Sequence, residues 1–297
     1  MTLAPAPRTR GRRGRVLVAL AALPFFLYVA VFLLLPVVVL GVEAFRSTDP
    51  DTFRTTWSTH SITAVTHGPY RRAYLGSLQL SVITALIGGV VGLTLAVAIL
   101  GTRRNLLLRR LVLTAAGVLA NFGGVPLAFA FIATIGNSGV ITALLTDTLG
   151  LGTGGFTLYS MAGLSLVYLY FLIPLMVLTI TPALEALRPQ WREASDNLGA
   201  TGWQYWRYVG GPVLAPPVIG ATMLLFASAF AAYATARALV GSSVPLVTLQ
   251  IANALSSNVT VGSDSIGKAL ALGMVVLIGI VMAFYAWVQR RTQRWLA

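Results

Sequence analysis

Glu193-Ala194-Ser195-Asp196-Asn197-Leu198-Gly199 and, after nine intervening residues, Val209-Gly210-Gly211-Pro212 lie in one polar stretch enclosed by long apolar runs. Glu185 to Gly199 is mostly helix-compatible, with Pro189 suited to a first turn. Gly199 can stop that helix because glycine enters the left-handed region without steric cost. A second short helix can start near Thr201. Two short helices at an angle form a rigid knob, in which Ala194 and Ser195 are small enough for close approach and Glu193 can accept hydrogen bonds from a partner. The plainer alternative is an amphipathic connector between two spans.

The apolar runs on either side set the class. Hydrophobic residues make up 57% of the chain and charged residues 10%, against about 25% charged in soluble domains, so the chain belongs in a bilayer. Uncharged runs cover Val16 to Val42, Tyr74 to Thr102, Leu111 to Thr146, Thr148 to Leu184, Tyr208 to Ala236 and Ala269 to Gln289. Each meets the roughly 20 residues that a crossing helix requires. Ala238 to Ser263 is also uncharged, but Pro245 and its Ser, Asn and Gln residues make it a poor span, and it is expected to be an outer loop.

Charge orders these runs. Arg8, Arg10, Arg12, Arg13 and Arg15 precede the first, Arg103, Arg104, Arg109 and Arg110 separate the second and third, Arg188, Arg192 and Arg207 occupy the polar stretch, and Arg290, Arg291 and Arg294 close the chain. Basic loops stay cytoplasmic, which predicts an all-α membrane protein of six spans with both termini inside. Residues 1–15 read as a basic disordered tail, 16–42 as the first span, 43–73 as an external loop, 74–290 as a five-helix core and 291–297 as a cytoplasmic tail. The net charge of +13 then reflects topology and attraction to anionic lipid, not nucleic acid. The absence of cysteine excludes disulfides and thiolate metal sites. His60 and His67 stand in the external loop without a clear ligand set.

The spacing E-A-S, three residues, Gly, nine residues, V-x-G-P resembles the EAA loop of permease subunits of binding-protein-dependent ABC importers, whose pattern is E-A-A, three residues, Gly, nine residues, I-x-L-P. Glu193, Ala194, Gly199 and Pro212 match outright, Val209 is a conservative replacement, and Ser195 and Gly211 depart from the pattern. Leu198-Gly199-Ala200, Pro216-Pro217 and the Gly136-to-Leu145 segment look like the polyamine, sulfate and iron subgroup. The resemblance implies a type I permease fold in a bacterial inner membrane and two ATPase subunits docked on such loops. It also implies a second permease subunit, a paralogue or a second copy, and an external solute-binding protein. ATP and Mg would be bound by the ATPases, since the chain has no G-x-x-x-x-G-K-[ST]. The implied coupling residues are Glu193, Ala194, Ser195, Gly199 and Pro212.

Two places suit a solute pathway. In the third run Asn121, with Gly123, Gly124 and Pro126, falls roughly halfway across the membrane, counting about 1.5 Å per residue from Arg110, and polar or helix-breaking residues at that depth line cavities or contact protein. Phe226, Phe230, Tyr233 and Arg237, spaced four, three and four apart, would share one helical face and lead from rings to a cation. Packing is the competing explanation for both, as it is for the G-x-x-x-G at Gly88 and Gly92. A membrane enzyme would need paired acids or a nucleophile with its base at membrane depth, and the acids here lie almost entirely in loops. A secondary transporter would usually carry an ionisable group within its spans, and a structural membrane protein would leave the polar stretch unexplained. The subgroup points to polyamines, whereas Arg237 and Lys268 favour an anion such as a phosphonate or sulfate; another small polar solute remains open.

Overall fold

In hydrocarbon a backbone must satisfy its own hydrogen bonds, so apolar runs of this length fold as helices. The computed structural model describes residues 22–48, 55–101, 106–148, 156–256 and 263–293. Among them, six helical stretches are long and apolar enough to cross a membrane.

In chain order, α1 (Ala22–Ala44) leads to an antiparallel ribbon of β1 (Arg46–Thr48) and β2 (Thr55–Trp57). Arg46 is paired with Trp57, and its guanidinium lies 5.3 Å from that ring centroid. Next come α2 (His60–Val65) and the long α3 (Gly68–Gly101), which begins ahead of the expected Tyr74 and carries Arg71 and Arg72 in its first turns. The third run is not one helix: α4 (Leu106–Asn121) and α5 (Gly124–Ile135) are separate pieces. A turn then precedes α6 (Val140–Ala143), which widens into a π turn at Leu144–Thr148.

The second half contains α7 (Met161–Glu185), α8 (Pro189–Asn197), and α9 (Gly202–Tyr205), which passes through a π turn (Trp206–Gly210) into α10 (Gly211–Ala231). It ends with α11 (Ala234–Val240), α12 (Val247–Ser256) and α13 (Ser263–Gln293). The expected outer loop from Ala238 to Ser263 is therefore partly helical. It is also packed inward, with Val244, Leu246, Val247 and Leu249 buried and the Val247 amide donating to Ser77 Oγ at 2.8 Å. Its polar residues rule out a full crossing without preventing its apolar residues from closing the end of the bundle.

Helix α7 is the axis of the core. Tyr168, Leu172, Met176 and Ile180 on it are fully buried. Alongside, α3 runs parallel, with Gly88 against Leu172 and Gly92 against Met176. A Cβ on Gly92 would lie 2.5 Å from that of Met176, so the G-x-x-x-G pair is the contact that lets the two backbones approach. Running the other way, α4 pairs Arg109 with Glu185 at one end, and α5 sets Phe131 5.6 Å from Tyr170 further along. The helices thus define an arginine-rich end, holding Arg109, Glu185 and α8, and an opposite end. At the opposite end Lys268 bonds Glu43 at 2.6 Å and Asp264 at 2.7 Å, tying α1 to α13. The basic tail at 1–15, Arg103, Arg104 and Arg294 lie outside the described residues.

Candidate functional site

At the arginine-rich end, α8 projects from the bundle because backbone geometry fixes it at both ends. Arg188 is extended (φ −71°, ψ 129°), as a residue before proline tends to be, and Pro189 opens the helix. The helix closes with two bonds, Ala200 N–H to Ser195 O at 3.1 Å and Gly199 N–H to Asp196 O at 3.0 Å, and Gly199 sits at φ +74°. This is a Schellman motif, and it demands glycine at that one position. Thr201 and Gln204 then form a reciprocal capping box that starts α9. The second helix of the knob is thus real, but it is not a separate short piece, because it continues through the π turn into α10. Arg192 lies over the Tyr205 ring at 5.9 Å and braces α8 against α9.

Glu193, Ala194 and Gly199 are exposed, Ser195 is half-buried, and Pro212 is exposed at the start of α10. Two large apolar side chains that the spacing pattern does not include flank them: Leu198 is 87% exposed and Trp203 73%. Apolar groups displayed on a rigid knob imply a partner surface. Their exposure had no signal in the sequence, since nothing in the pattern distinguishes an exposed leucine from a buried one.

A second arrangement lies within the spans. Helix α4 stops at Asn121, Gly124 takes φ +75°, and α5 starts there. Helix α10 stops at Ala231, Ala232 is extended (φ −69°, ψ 111°), and α11 restarts at Ala234. The two breaks face each other. Gly124 N–H donates to Thr235 Oγ1 at 2.9 Å, and the same hydroxyl donates to Gly124 O at 3.3 Å. Tyr168 donates its hydroxyl to Ala232 O at 2.9 Å. Together these bonds satisfy backbone groups that interrupted helices would leave open at membrane depth. Tyr168 is two turns into α7, so the breaks lie roughly 10 Å inside the end opposite the arginines.

The candidate pathway residues divide at these breaks. Asn121 is exposed and its amide donates to Gly117 O at 2.8 Å within its own helix. The expected stripe from Phe226 to Arg237 does not exist as one face, because helical periodicity holds only within a single helix and α10 ends before Tyr233. Phe226 and Phe230 are buried and stacked with centroids 5.7 Å apart. Tyr233 is 40% exposed, and Arg237 is exposed and donates to Asn253 Oδ1 at 3.0 Å. Thr235 and Tyr168 were not distinguishable in sequence from other polar residues in apolar runs. Between α1 and α3 the His67 ring is engaged locally by Thr63 O and Thr66 Oγ1, and no group of three or more metal-ligating side chains occurs among the described residues.

The family of binding-protein-dependent transport system inner membrane components matches residues 140–294, from the start of α6 to one residue past α13. The chain belongs to that family. This inner membrane component is 31% identical over 156 residues to the inner membrane ABC transporter permease protein YdcU of Escherichia coli (strain K12), covering 52% of this chain and 47% of that one. It is 37% identical over 68 residues to the sulfate transport system permease protein CysT of the same organism, covering 23% and 24%. It is 26% identical to the spermidine/putrescine transport system permease protein PotB of Haemophilus influenzae, covering 51% and 52%. The chain spans about half the length of these curated relatives, or less. Its fold matches a chain of the bacterial alginate ABC transporter in complex with a pentasaccharide-bound periplasmic protein, at TM-score 0.69 and 18% identity over 95% of this chain and 98% of that chain. The MetNI methionine ABC transporter matches at TM-score 0.56 and 18% identity, over 75% and 95%. The inner membrane component is therefore a multi-pass bacterial inner membrane protein with an importer-permease fold.

Proposed function

We propose that the chain is the permease subunit of an ATP-driven, binding-protein-dependent importer, and that α8 docks into a separate ATPase. The observation that carries this is the knob itself: a short helix braced at both ends, displaying Glu193, Ala194, Leu198 and Trp203 where none of the described elements covers them. A rigid helix joined through α9 directly to α10 transmits a push at the ATPase to the break at Ala232. ATP and Mg are held by two ATPase subunits, a second permease subunit supplies the other half of the pathway, and an external binding protein delivers solute at the opposite end. The arginine-rich end faces the cytoplasm, in keeping with the distribution of basic residues.

Small polar solutes fit this reading, with Asn121, Tyr233 and Arg237 exposed beside the two helix breaks, while Phe226 and Phe230 are stacked in the core of α10. Related permeases are named for sulfate, thiamine, spermidine/putrescine and molybdenum, which supports a polar solute without selecting one. The test replaces Glu193→Lys and, separately, Gly199→Leu. Both variants should insert normally, lose uptake, and lose either copurifying ATPase or its stimulation. Wild-type uptake in both at equal membrane level would overturn the assignment.

A further inference from the structure

At the end of the bundle opposite the arginine clusters, an open groove of about 470 Å³ runs between α2, α3 and α13. Ile62, Val65, Leu272 and Val276 form its walls. Its floor is Gly273, over which Tyr74 reaches to donate to Leu270 O at 2.5 Å. A Cβ on Gly273 would meet the Tyr74 hydroxyl, so glycine keeps this floor low. Arg71 lines the groove, and Arg72, the next residue on α3, adds charge at the same level without lining it; both are exposed. Among the described residues no acidic group pairs with either. The neighbouring cations differ: Arg46 is engaged by Glu43, and Lys268 by Glu43 and Asp264.

The groove walls on α3 and α13 belong to two membrane spans, Gly68–Leu100 and Asp264–Trp287. Val276 lies three turns into the latter and Arg71 one turn into the former, so the apolar trough extends into one leaflet while its cations stand at the interface. Hydrocarbon therefore meets the trough, and phosphate meets the arginines. We propose that this groove is a site for a phospholipid with a net anionic head group, its acyl chain along Leu272 and Val276 and its phosphate on Arg71, with the charge of Arg72 at the same level adding to the attraction. Charge complementarity selects this occupant, because a purely apolar partner would leave two arginines unanswered and a soluble anion would leave the trough unfilled. The seated lipid also fills the junction where α13 carries α1, next to the Glu43 and Lys268 ion pair. The proposal needs only the membrane placement of the chain and is independent of its role in import.

The test is native mass spectrometry of the purified protein equilibrated with equal amounts of phosphatidylglycerol and phosphatidylethanolamine bearing the same acyl chains. Wild type should retain a phosphatidylglycerol preferentially. With interfacial arginines contributing on the order of 1 kcal/mol each, Arg71→Gln should reduce that preference about fivefold and the Arg71→Gln/Arg72→Gln pair about 25-fold. Val276→Trp, at an exposed position, should fill the trough and lower retention of both lipids while the arginines remain. Arg290→Gln/Arg291→Gln removes equal charge from the opposite end and should leave the preference unchanged. No preference in wild type, an unchanged preference in the Arg71/Arg72 variant, or equal loss from either arginine pair would overturn the site. Displacement by a soluble glycerol phosphate as effective as by the intact lipid would also refute the acyl contribution.

Discussion

Replacing Thr235 by Val tests whether the two helix breaks are held together as the structure indicates. Valine preserves the branched shape and removes only the hydroxyl that accepts from Gly124 N–H and donates to Gly124 O. That amide is the first of α5, where no earlier turn offers it a carbonyl. Leaving a buried donor unsatisfied costs about 1–3 kcal/mol, whereas side-chain hydrogen bonds between membrane helices average about 0.6 kcal/mol. Thr235 itself is 3% exposed, which favours a loss of about 1–2 kcal/mol. At about 2–4 °C per kcal/mol, the thermal midpoint of the purified protein in mild detergent should fall by about 2–8 °C. Thr235→Ser keeps the hydroxyl and loses one methyl, about 0.8 kcal/mol, and so bounds the packing contribution. If the breaks also move during transport, Thr235→Val should change ATPase activity in the assembled complex when Thr235→Ser does not. A Val variant as stable as wild type, or more stable than the Ser variant, would refute the reasoning.

Phe230→Ala removes a ring that is 1% exposed and stacked on Phe226; it should cost about 3–5 kcal/mol and lower the yield of assembled protein. Uptake per assembled complex should stay unchanged, and normal yield with altered uptake per complex would instead place that ring in the pathway. Tyr233→Ala, at a 40% exposed position, should show the reverse pattern, measured by the same normalised assay. In this cysteine-free chain, Cys introduced at Gln190 should resist a membrane-impermeant thiol reagent in intact cells, and Cys at Asp264 should react. Labelling at 190 would reverse the assignment of the arginine-rich end to the cytoplasm.

Much of the architecture was legible because a bilayer imposes a severe constraint on composition. Long uncharged runs separated by arginine clusters can fold only as crossing helices, whatever their neighbours are. The knob at α8 was legible for a different reason: Pro189, Gly199 and the Thr201 and Gln204 pair specify helix ends through bonds made within a few residues, so local sequence is sufficient. The geometry of the candidate pathway residues was legible only in part. Gly123 and Gly124 signalled a weak point in the third run, but nothing local marked Ala232 as the end of α10, and the four-residue stripe assumed a helix that continues. That break persists because Tyr168, 64 residues away, binds the Ala232 carbonyl.

Sequence by itself thus determined the class, the approximate spans, the polar stretch that leaves the bundle, and the start and stop of α8. Only the tertiary structure decided that Phe226 and Phe230 are core while Tyr233 is surface, that the segment after α11 folds inward, that the two breaks meet at Thr235, and that a groove lies beneath Arg71. The physical difference is the range of the interactions. Solvation by hydrocarbon and capping of helix ends act on a residue and its near neighbours, whereas burial, the apposition of two breaks and the shape of a groove depend on which distant surfaces pack together.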